Sequence, residues 1–337
     1  MHADFTIYRR ERKKMRMIGA QKSGTTSIHK MFDMQRDVMT PTKRRKSEAH
    51  FFDFDLDIRR GRGYDARSEG ELCRDRERYL AFFETSEVVP NVTVVFEKTP
   101  SYMVHPAIAS AVESICVWKP RILVALRNPV DRAWSHYCHK NRRRTADRAR
   151  SHHFHDRRRN DTIPRDRLFD RYVEGELSLL QRNGFLEDYV PFDEFERSGS
   201  TSPFQFNANL TLGDYARLAA EYRGDPVNGT LFRGLYAPLL LPWVQRFSPE
   251  DRLMALRLED LAREGGRGRG AVARDMLGFT GISNAEGSEE GGPRAWERNK
   301  TYADMPRAMR RYLSLFYRPF NDLLADLLGE DWRDLWG

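Results

Sequence analysis

The segment from Met17 to Ser27 reads MIGAQKSGTTS and constrains the fold of this chain more than any other. Its order predicts the end of a strand, a glycine-containing turn and the first turn of a helix. Such a turn points backbone N–H groups and the positive end of the helix at one place, which is how proteins hold a phosphate. The segment therefore predicts an anion-binding loop in an α/β fold, although the same kind of turn also occurs in proteins that bind no ligand.

The position of the lysine in this loop separates two classes of nucleotide-binding protein. A nucleoside triphosphatase needs GxxxxGK[ST], with the lysine directly after the second glycine. Gly19 and Gly24 have that spacing, but Thr25 occupies the lysine position and Lys22 lies inside the turn. A lysine placed there can stabilise charge on the bridging oxygen of a 5'-phosphosulfate as it leaves, without a metal ion. The loop thus disfavours a P-loop kinase or nucleotidase that uses ATP, which stays as the alternative enzyme class.

Short apolar runs alternate with helical patterns along the chain, which predicts a parallel sheet with crossover helices. We expect an α/β, P-loop-like three-layer fold in a single domain, with the central parallel sheet flanked by helices. The predicted elements, in chain order, are strand 15–19, helix 25–34, strand 92–97, helix 105–117, strand 121–126, a helix after Pro129, strand 252–258 and helix 305–328.

A second informative segment runs from Arg121 to Tyr137 and reads RILVALRNPVDRAWSHY. It places Arg127 at the carboxyl end of a predicted strand, where open parallel sheets bind their ligands. Ser135 follows two helical turns later, on or near the same face of the helix. A guanidinium and a hydroxyl suit a second phosphate, separate from the one in the first loop. Read alone, the segment also fits a helix cap with a surface arginine.

Composition limits the class of protein. Hydrophobic residues make up 40% and aromatic residues 12% of the 337 residues, so the chain is too apolar to be disordered throughout. Its 57 basic residues against 49 acidic ones give a net charge of +8, which suits a polyanionic partner. The stretch 142–159 is too charged to pack as core, and we expect no metal site at its histidines because the arginines around them repel a cation. A noncatalytic polyanion-binding protein that uses this stretch is the alternative outside the enzymes.

The cysteines and the asparagines of the sequence indicate the cell compartment in which the protein is expected. The three cysteines, Cys73, Cys116 and Cys138, form no CxxC pair, so neither a zinc site nor thioredoxin-type chemistry is expected. Sequons of the N-x-T type exceed the roughly one that chance would give, which favours a glycosylating lumen. The sequence shows no apolar run long enough to span a bilayer and no secretion signal, so we expect any membrane anchor to lie outside it. The sequons are at Asn91, Asn160, Asn209, Asn228 and Asn299.

Four motifs, taken in their order along the chain, resemble one enzyme family. They are KSGTT in the first loop, EKTPSY at 97–102, LRNPVDRAWSHY in the second segment and FYRPFN at 316–321. Together they resemble the sulfotransferases that use 3'-phosphoadenosine-5'-phosphosulfate (PAPS), and within these the heparan sulfate glucosamine 3-O- and N-sulfotransferases. The resemblance runs from Met17 to Trp332. It implies a basic segment over 1–14 and a sulfotransferase domain over 15–337, with a charged insertion around 142–167.

The resemblance implies how PAPS would be bound. Lys22 would contact the 5'-phosphosulfate, while Arg127 and Ser135 would bind the 3'-phosphate. No metal ion is implied. Backbone and hydroxyl donors of the first loop would complete the 5' site, and they come from Ser23, Gly24, Thr25, Thr26 and Ser27.

A later segment, RNKTY at 298–302, resembles the loop that closes over the nucleotide. Lys300 and Tyr302 would then be further PAPS ligands, and Asn299 would be poorly placed to carry a glycan. The related enzymes brace this loop with a disulfide and carry a KGR run there, whereas this chain has no cysteine after Cys138. The match to the family is therefore weakest at this loop.

The resemblance also implies the chemistry. Glu48 would be the base on the attacking acceptor, Lys98 would lie near the acceptor and the sulfo group, and His139 matches a histidine of the N-sulfotransferase branch. A positioned carboxylate contributes about 10²- to 10⁴-fold to such a proton transfer. The alternative is that Glu48 merely caps or pairs with the basic run 44–46.

The implied reaction moves the sulfo group of PAPS to a hydroxyl or amine of a heparan-sulfate-like glucosaminyl polysaccharide. It leaves adenosine 3',5'-bisphosphate as the second product. The implied partner is an anionic glycan, with no specific nucleic acid, and the implied compartment is the Golgi lumen or the secretory pathway.

Overall fold

The structure is a computed structural model, and the chain forms two compact units in it. One unit comprises Met1–Arg127 and Pro242–Asn299, and the other comprises Asn128–Leu241 and Lys300–Gly337. The expectation of one domain over 15–337 stays a prediction. The residues that the structure describes are 13–35, 37–41, 48–56, 67–83, 92–150, 165–225, 229–248, 250–262, 269–282 and 304–336.

From Lys13 to Leu126, strands and helices alternate along the chain, as the sequence predicts. The strands of the described chain are β1 (Lys13–Gly19), β2 (Val38–Met39), β3 (Val94–Lys98), β4 (Arg121–Leu126), β5 (Asp188–Tyr189), β6 (Phe204–Gln205) and β7 (Leu253–Arg257). Its α-helices are α1 (Thr25–Asp33), α2 (Glu69–Leu80), α3 (Ala107–Ile115), α4 (Pro129–Arg150), α5 (Arg165–Arg182), α6 (Phe192–Ser198), α7 (Leu212–Ala220), α8 (Tyr236–Arg246), α9 (Leu258–Ala262), α10 (Arg269–Thr280) and α11 (Arg307–Leu328). Within the described ranges, every helix is too short or too polar to cross a membrane.

A five-stranded sheet forms the centre of the first unit, and all of its neighbouring strands are parallel. Its order is β2-β3-β1-β4-β7, so β1 lies between β3 and β4. The strand β3 is buried along its whole length, as expected for a parallel sheet that is covered on both faces. The predicted α/β class, with a central parallel sheet flanked by helices, is confirmed. The prediction lacked β2, because a strand of two residues is too short to show a period.

The side chains of β1 show why the fold has three layers, since they alternate between the two faces of the sheet. Met15 and Met17 enter an apolar cluster with Ile28 of α1 and with residues of α10. Arg16 points to the other face, where its guanidinium lies 4.7 Å from the ring centre of Tyr79 in α2. Helices therefore cover both faces of the sheet.

The second unit contains an aromatic cluster on α11. Tyr312 of α11 packs against Phe195 of α6 and Phe204 of β6, with ring centroids 4.9 and 4.7 Å apart. The Tyr312 hydroxyl donates to the carbonyl of Val190 at 2.7 Å, so its polar end is satisfied while its ring fills the core. These contacts hold the short antiparallel pair β5–β6 against α11.

The charged stretch 142–159 is only partly described. Its first residues belong to α4, which ends at Arg150, and the remainder lies outside the described residues. The helix α5 begins at Arg165, inside the predicted insertion 142–167. The limits of the insertion therefore stay a prediction.

A buried carboxylate, that of Glu97 on β3, joins several elements of the first unit. Arg16 lies with Nε 3.5 Å from Oε2 of Glu97, and the two side chains are only 3% and 1% exposed. The hydroxyls of Tyr79 and Tyr102 donate to this carboxylate at 2.5 and 2.6 Å, and that of Thr99 donates at 3.0 Å. Such a carboxylate is tolerated in a core because its partners replace the water that it loses.

Replacing Glu97 by alanine should cost about 3–5 kcal/mol of unfolding free energy, because the guanidinium of Arg16 stays buried without its partner. The control Tyr79→Phe removes one hydrogen bond and keeps the charge pair, so it should cost about 1 kcal/mol. Urea unfolding followed by circular dichroism measures both losses. Equal losses for the two variants would contradict the role of Glu97 as the anchor of this cluster.

Candidate active site

The carboxyl ends of three adjacent strands bring predicted site residues to one edge of the sheet. The anion-binding loop follows Gly19 at the end of β1, Lys98 ends β3, and Arg127 directly follows β4. The register of the sheet pairs Met17 with Lys98. Open parallel sheets bind ligands at this edge, where the connections from adjacent strands lead to opposite sides.

The loop between β1 and α1 has the geometry of an anion-binding turn. Lys22 and Gly24 both adopt a left-handed backbone, with φ of 74° and 77°. The N–H groups at the start of a helix, here those of Thr25 and Thr26, have no acceptor within the helix. Ser23 is fully buried, and its hydroxyl has no hydrogen-bond partner among the described residues. These donors and the helix N-terminus fit a phosphate-type anion.

Two contacts hold this loop against β4. The N–H of Ala20 donates to the carbonyl of Ala125, with N···O of 2.7 Å. The guanidinium of Arg127 donates from Nη1 to the carbonyl of Lys22 at 3.5 Å. Arg127 therefore lies against the loop.

Glu48, the predicted base, lies in a chain of ion pairs and hydrogen bonds. Lys98 donates to one carboxylate oxygen, with Nζ 2.5 Å from Oε1, and His50 donates to the other, with Nε2 3.1 Å from Oε2. The second ring nitrogen of His50, Nδ1, lies 2.9 Å from Oδ2 of Asp53. The same Asp53 oxygen accepts from the hydroxyl of Ser101. The structure thus brings Glu48 and Lys98 together and adds three residues to them.

The hydrogen bonds of His50 determine its charge. Both partners are carboxylates, which accept but do not donate when ionised, so both ring nitrogens donate and the imidazole is protonated. Burial alone would lower the pKa of His50, but the bonds to Asp53 and Glu48 raise it to about 9. Burial alone would raise the pKa of Glu48, but the bonds from His50 and Lys98 lower it to about 2. At neutral pH Glu48 is therefore an ionised carboxylate between two cations.

His50 and Asp53 are functional candidates that the sequence reasoning missed. Their signal is the spacing Glu48-Ala-His50-x-x-Asp53, because a helical turn brings together side chains three positions apart. The turn here is π-helical over Phe51–Asp55, and Tyr102 holds its start by accepting from the first N–H of the turn at 3.1 Å. Only 2% of the surface of Asp53 is exposed. The turn therefore holds both side chains in place beside Glu48.

Ser135 and His139 lie on α4, in the second unit. Ser135 is buried and His139 is half-buried. Near them on the same helix, the fully buried Arg132 donates to the carbonyl of Thr230, and Nδ1 of His136 lies 3.1 Å from Oγ1 of Thr230. These contacts fix this part of α4, while the roles of Ser135 and His139 toward PAPS stay predictions.

The other predicted PAPS ligands are described to different extents. At the start of α1, Thr25 is buried, Thr26 is exposed and Ser27 is half-buried. Lys300 and Tyr302 lie outside the described residues. Their contacts with the nucleotide, and the closing loop that they belong to, stay predictions.

The ionisation of His50 should make the stability of the protein depend on pH. Its folded-state pKa of about 9 lies above the ordinary 6.5, so its contribution is complete below pH 6.5 and is lost as the pH rises through 9. Between roughly pH 6.5 and 9.5, the unfolding free energy of the wild type should fall by about 1–3 kcal/mol more than that of His50→Gln. Urea unfolding across this range measures the difference. The same alkaline loss in both proteins would show that His50 is not the titrating group.

A family model described as "Sulfotransferase domain" matches residues 12–290 of this chain. The matched range is more than half of the sequence, and it contains the anion-binding loop, Glu48, Lys98 and Arg127. No curated protein sequence matches the chain.

Solved structures also match, among them the crystal structure of a sulfotransferase from Alicyclobacillus acidocaldarius. That protein is 22% identical in sequence, with a TM-score of 0.54, and the match covers 96% of this chain and 99% of that chain. At this identity the likeness concerns the fold, and it agrees with the parallel sheet and its covering helices. With the family model spanning every element that carries the site of the first unit, the chain belongs to the sulfotransferase family and is a PAPS-dependent sulfotransferase.

Proposed function

We propose that this sulfotransferase moves the sulfo group of PAPS to a hydroxyl or amine of an anionic, glucosamine-containing glycan similar to heparan sulfate. The observation that carries the proposal is that one sheet edge holds both an anion-binding loop and an ionised carboxylate paired with Lys98. The glycan acceptor is supported by the net charge of +8 and by the resemblance of the motifs around Glu48 and Lys98.

On the donor side, the chain supplies charge stabilisation. When bound, PAPS supplies an activated sulfo group whose departure leaves negative charge on a phosphate oxygen. Lys22 and the N–H groups of the loop face that charge, and each such donor is worth about 3 kcal/mol in a site that excludes water. The buried hydroxyl of Ser23 gains an acceptor there. Arg127, against the loop, binds the other phosphate of the nucleotide.

On the acceptor side, Glu48 takes the proton of the attacking hydroxyl or amine. Its pKa of about 2 keeps it ionised, but the same two cations that lower the pKa also weaken it as a base. Glu48 therefore accepts a proton most readily once Lys98 turns its ammonium toward the sulfo group. His50 stays in place through this change, because Asp53 holds its other nitrogen.

We also propose that the protein works in the lumen of the Golgi or elsewhere in the secretory pathway. The sequons support this compartment. Asn209 is exposed on the described surface, where its N–H donates to the side chain of Asn207 at 2.9 Å. The asparagines of the other four sequons lie outside the described residues.

Protection from thermal unfolding by nucleotides tests the donor. We expect adenosine 3',5'-bisphosphate to raise the melting temperature and ATP with magnesium to leave it unchanged. The opposite order would favour a kinase or nucleotidase. A noncatalytic polyanion binder would instead bind heparin in a salt-sensitive way that persists when Lys22 and Arg127 are replaced.

A panel of acceptors tests the glycan. Labelled PAPS is incubated with desulfated heparan, with chondroitin and with small phenols, and transfer of the label is measured for each. Preferred transfer to desulfated heparan is the expected result. Preferred transfer to a phenol would overturn the glycan acceptor while leaving the sulfotransferase activity intact.

Replacing Lys22 by alanine should abolish transfer from PAPS, because the loop loses the ammonium that stabilises the leaving group. A reduction of about 10²- to 10³-fold in kcat is expected from the loss of one such group. Lys30→Ala is the matched control, since Lys30 is an exposed lysine in the last turn of α1, the helix that follows the same loop. Equal rates for the two variants would remove Lys22 from the donor site.

Replacing Glu48 by glutamine should also abolish transfer, because the amide cannot take the proton of the acceptor. A loss of about 10²- to 10⁴-fold in kcat is expected. Binding of adenosine 3',5'-bisphosphate, measured by calorimetry, should stay near that of the wild type. Near-normal turnover in this variant would remove Glu48 as the base.

A further inference from the structure

One aromatic side chain beside the candidate base is turned toward solvent. Phe54 exposes 52% of its surface, and its ring centre lies 4.8 Å from that of His50. His50 in turn holds Glu48 at 3.1 Å. One ring contact and one hydrogen bond therefore connect Phe54 to the carboxylate that is proposed to take the acceptor's proton.

The turn that carries Phe54 holds this ring in a defined place. Phe51 and Phe52, at the start of the turn, are fully buried, and both of their N–H groups donate to the hydroxyl of Tyr102, at 3.1 and 3.5 Å. The N–H of Phe54 donates to the carbonyl of His50 at 3.2 Å. The same short turn therefore buries two aromatic rings in the core and presents the third at the surface, next to the site.

Its place distinguishes Phe54 from other exposed apolar side chains. Single apolar side chains at a surface are normal and need no functional explanation. Among the described residues, the other large exposed hydrophobic side chains are Met34 and Val117, and neither belongs to the chain of bonds around Glu48. Ligand sites combine such apolar surface with a few polar groups that fix orientation. Phe54 together with His50 and Glu48 is a combination of this kind.

We propose that Phe54 is a specificity-determining residue, whose ring supports the flat face of the six-membered ring that carries the attacking hydroxyl or amine. The proposal rests on the proposed function, because it needs the acceptor to meet Glu48. An aromatic ring packs well against the flat face of another ring and offers much less to a flexible acyclic chain. A sugar ring and a phenol both offer such a face. Phe54 thus selects acceptors that bear a ring and sets the angle at which the nucleophile reaches Glu48.

The test compares Phe54→Ala and Phe54→Trp with Val117→Ala, a matched control that removes another exposed apolar side chain. Steady-state kinetics with labelled PAPS give the KM and kcat for desulfated heparan and for a phenol, so the two kinds of ring are separate arms. Phe54→Ala should raise the KM of ring-bearing acceptors about 5- to 15-fold, with the KM for PAPS unchanged. Phe54→Trp should stay within about twofold of the wild type, because it keeps an aromatic face.

A binding measurement makes the result independent of turnover. Saturation-transfer NMR of a desulfated heparan oligosaccharide, with adenosine 3',5'-bisphosphate present, reports contact between the sugar ring and the protein. Loss of the saturation transfer in Phe54→Ala, with retention in Val117→Ala, would support the contact between Phe54 and the sugar ring. Equal saturation transfer and equal acceptor KM in the wild type and Phe54→Ala would overturn the proposed role of Phe54. A wild type that binds the oligosaccharide through Phe54 but moves no label from PAPS would instead contradict the proposed function.

Discussion

The buried carboxylate of Glu97 is the interaction on which the first unit depends. It receives a guanidinium from β1 and a phenol from α2, so it ties the central strand to the helix layer on one face. It also receives the hydroxyl of Tyr102, which accepts the first N–H of the turn over Phe51–Asp55. Removing one partner of such a buried pair leaves an uncompensated charge, which is far more costly than a lost surface contact. The position of this turn, which carries Asp53 beside the candidate site, therefore depends on the integrity of the core.

The site above this core is a row of alternating charges. Lys98, Glu48, His50 and Asp53 follow one another, and each contacts the next within hydrogen-bonding distance. Because every charge has an opposite neighbour, the pairing offsets the loss of water that burial imposes on these groups. The arrangement keeps Glu48 ionised and holds its carboxylate between two hydrogen-bond donors. In the proposed mechanism, an incoming nucleotide that attracts Lys98 raises the basicity of Glu48.

The parts of the fold that could be predicted are those with a local signal. The strand at 121–126 was predicted to the residue, because an apolar run bounded by a proline and an arginine has few other interpretations. The loop with Lys22 and Gly24 was predicted because its order of residues, from the end of a strand through a glycine-containing turn to a helix start, is typical of an anion-binding turn. The two-residue strand β2 and the antiparallel pair β5–β6 could not be predicted, since strands this short depend on tertiary contacts rather than on a period.

In the candidate site, too, some features could be predicted from the sequence and others depend on tertiary contacts. Glu48 and Lys98 came from the resemblance to a family, and their direct contact is a property of the structure that no spacing reveals, because fifty residues separate them. His50 and Asp53 were missed because a helical turn of five residues is too short to show a clear period, although their spacing from Glu48 is local. The grouping of Arg16, Tyr79 and Glu97 likewise has no local pattern, since it joins three separate elements.

Glu97 and Lys98 are consecutive in sequence and serve opposite faces of β3, one in the core and one at the site. Side-chain direction alternates along a strand, so a slip of β3 by a single residue against β1 would exchange their surroundings. The ammonium would then enter the tyrosine cluster, and the carboxylate would face Glu48 and repel it. We therefore expect an insertion or deletion just before this dipeptide to disturb the core and the candidate site together, and natural variation in chain length to avoid the residues that lead into it.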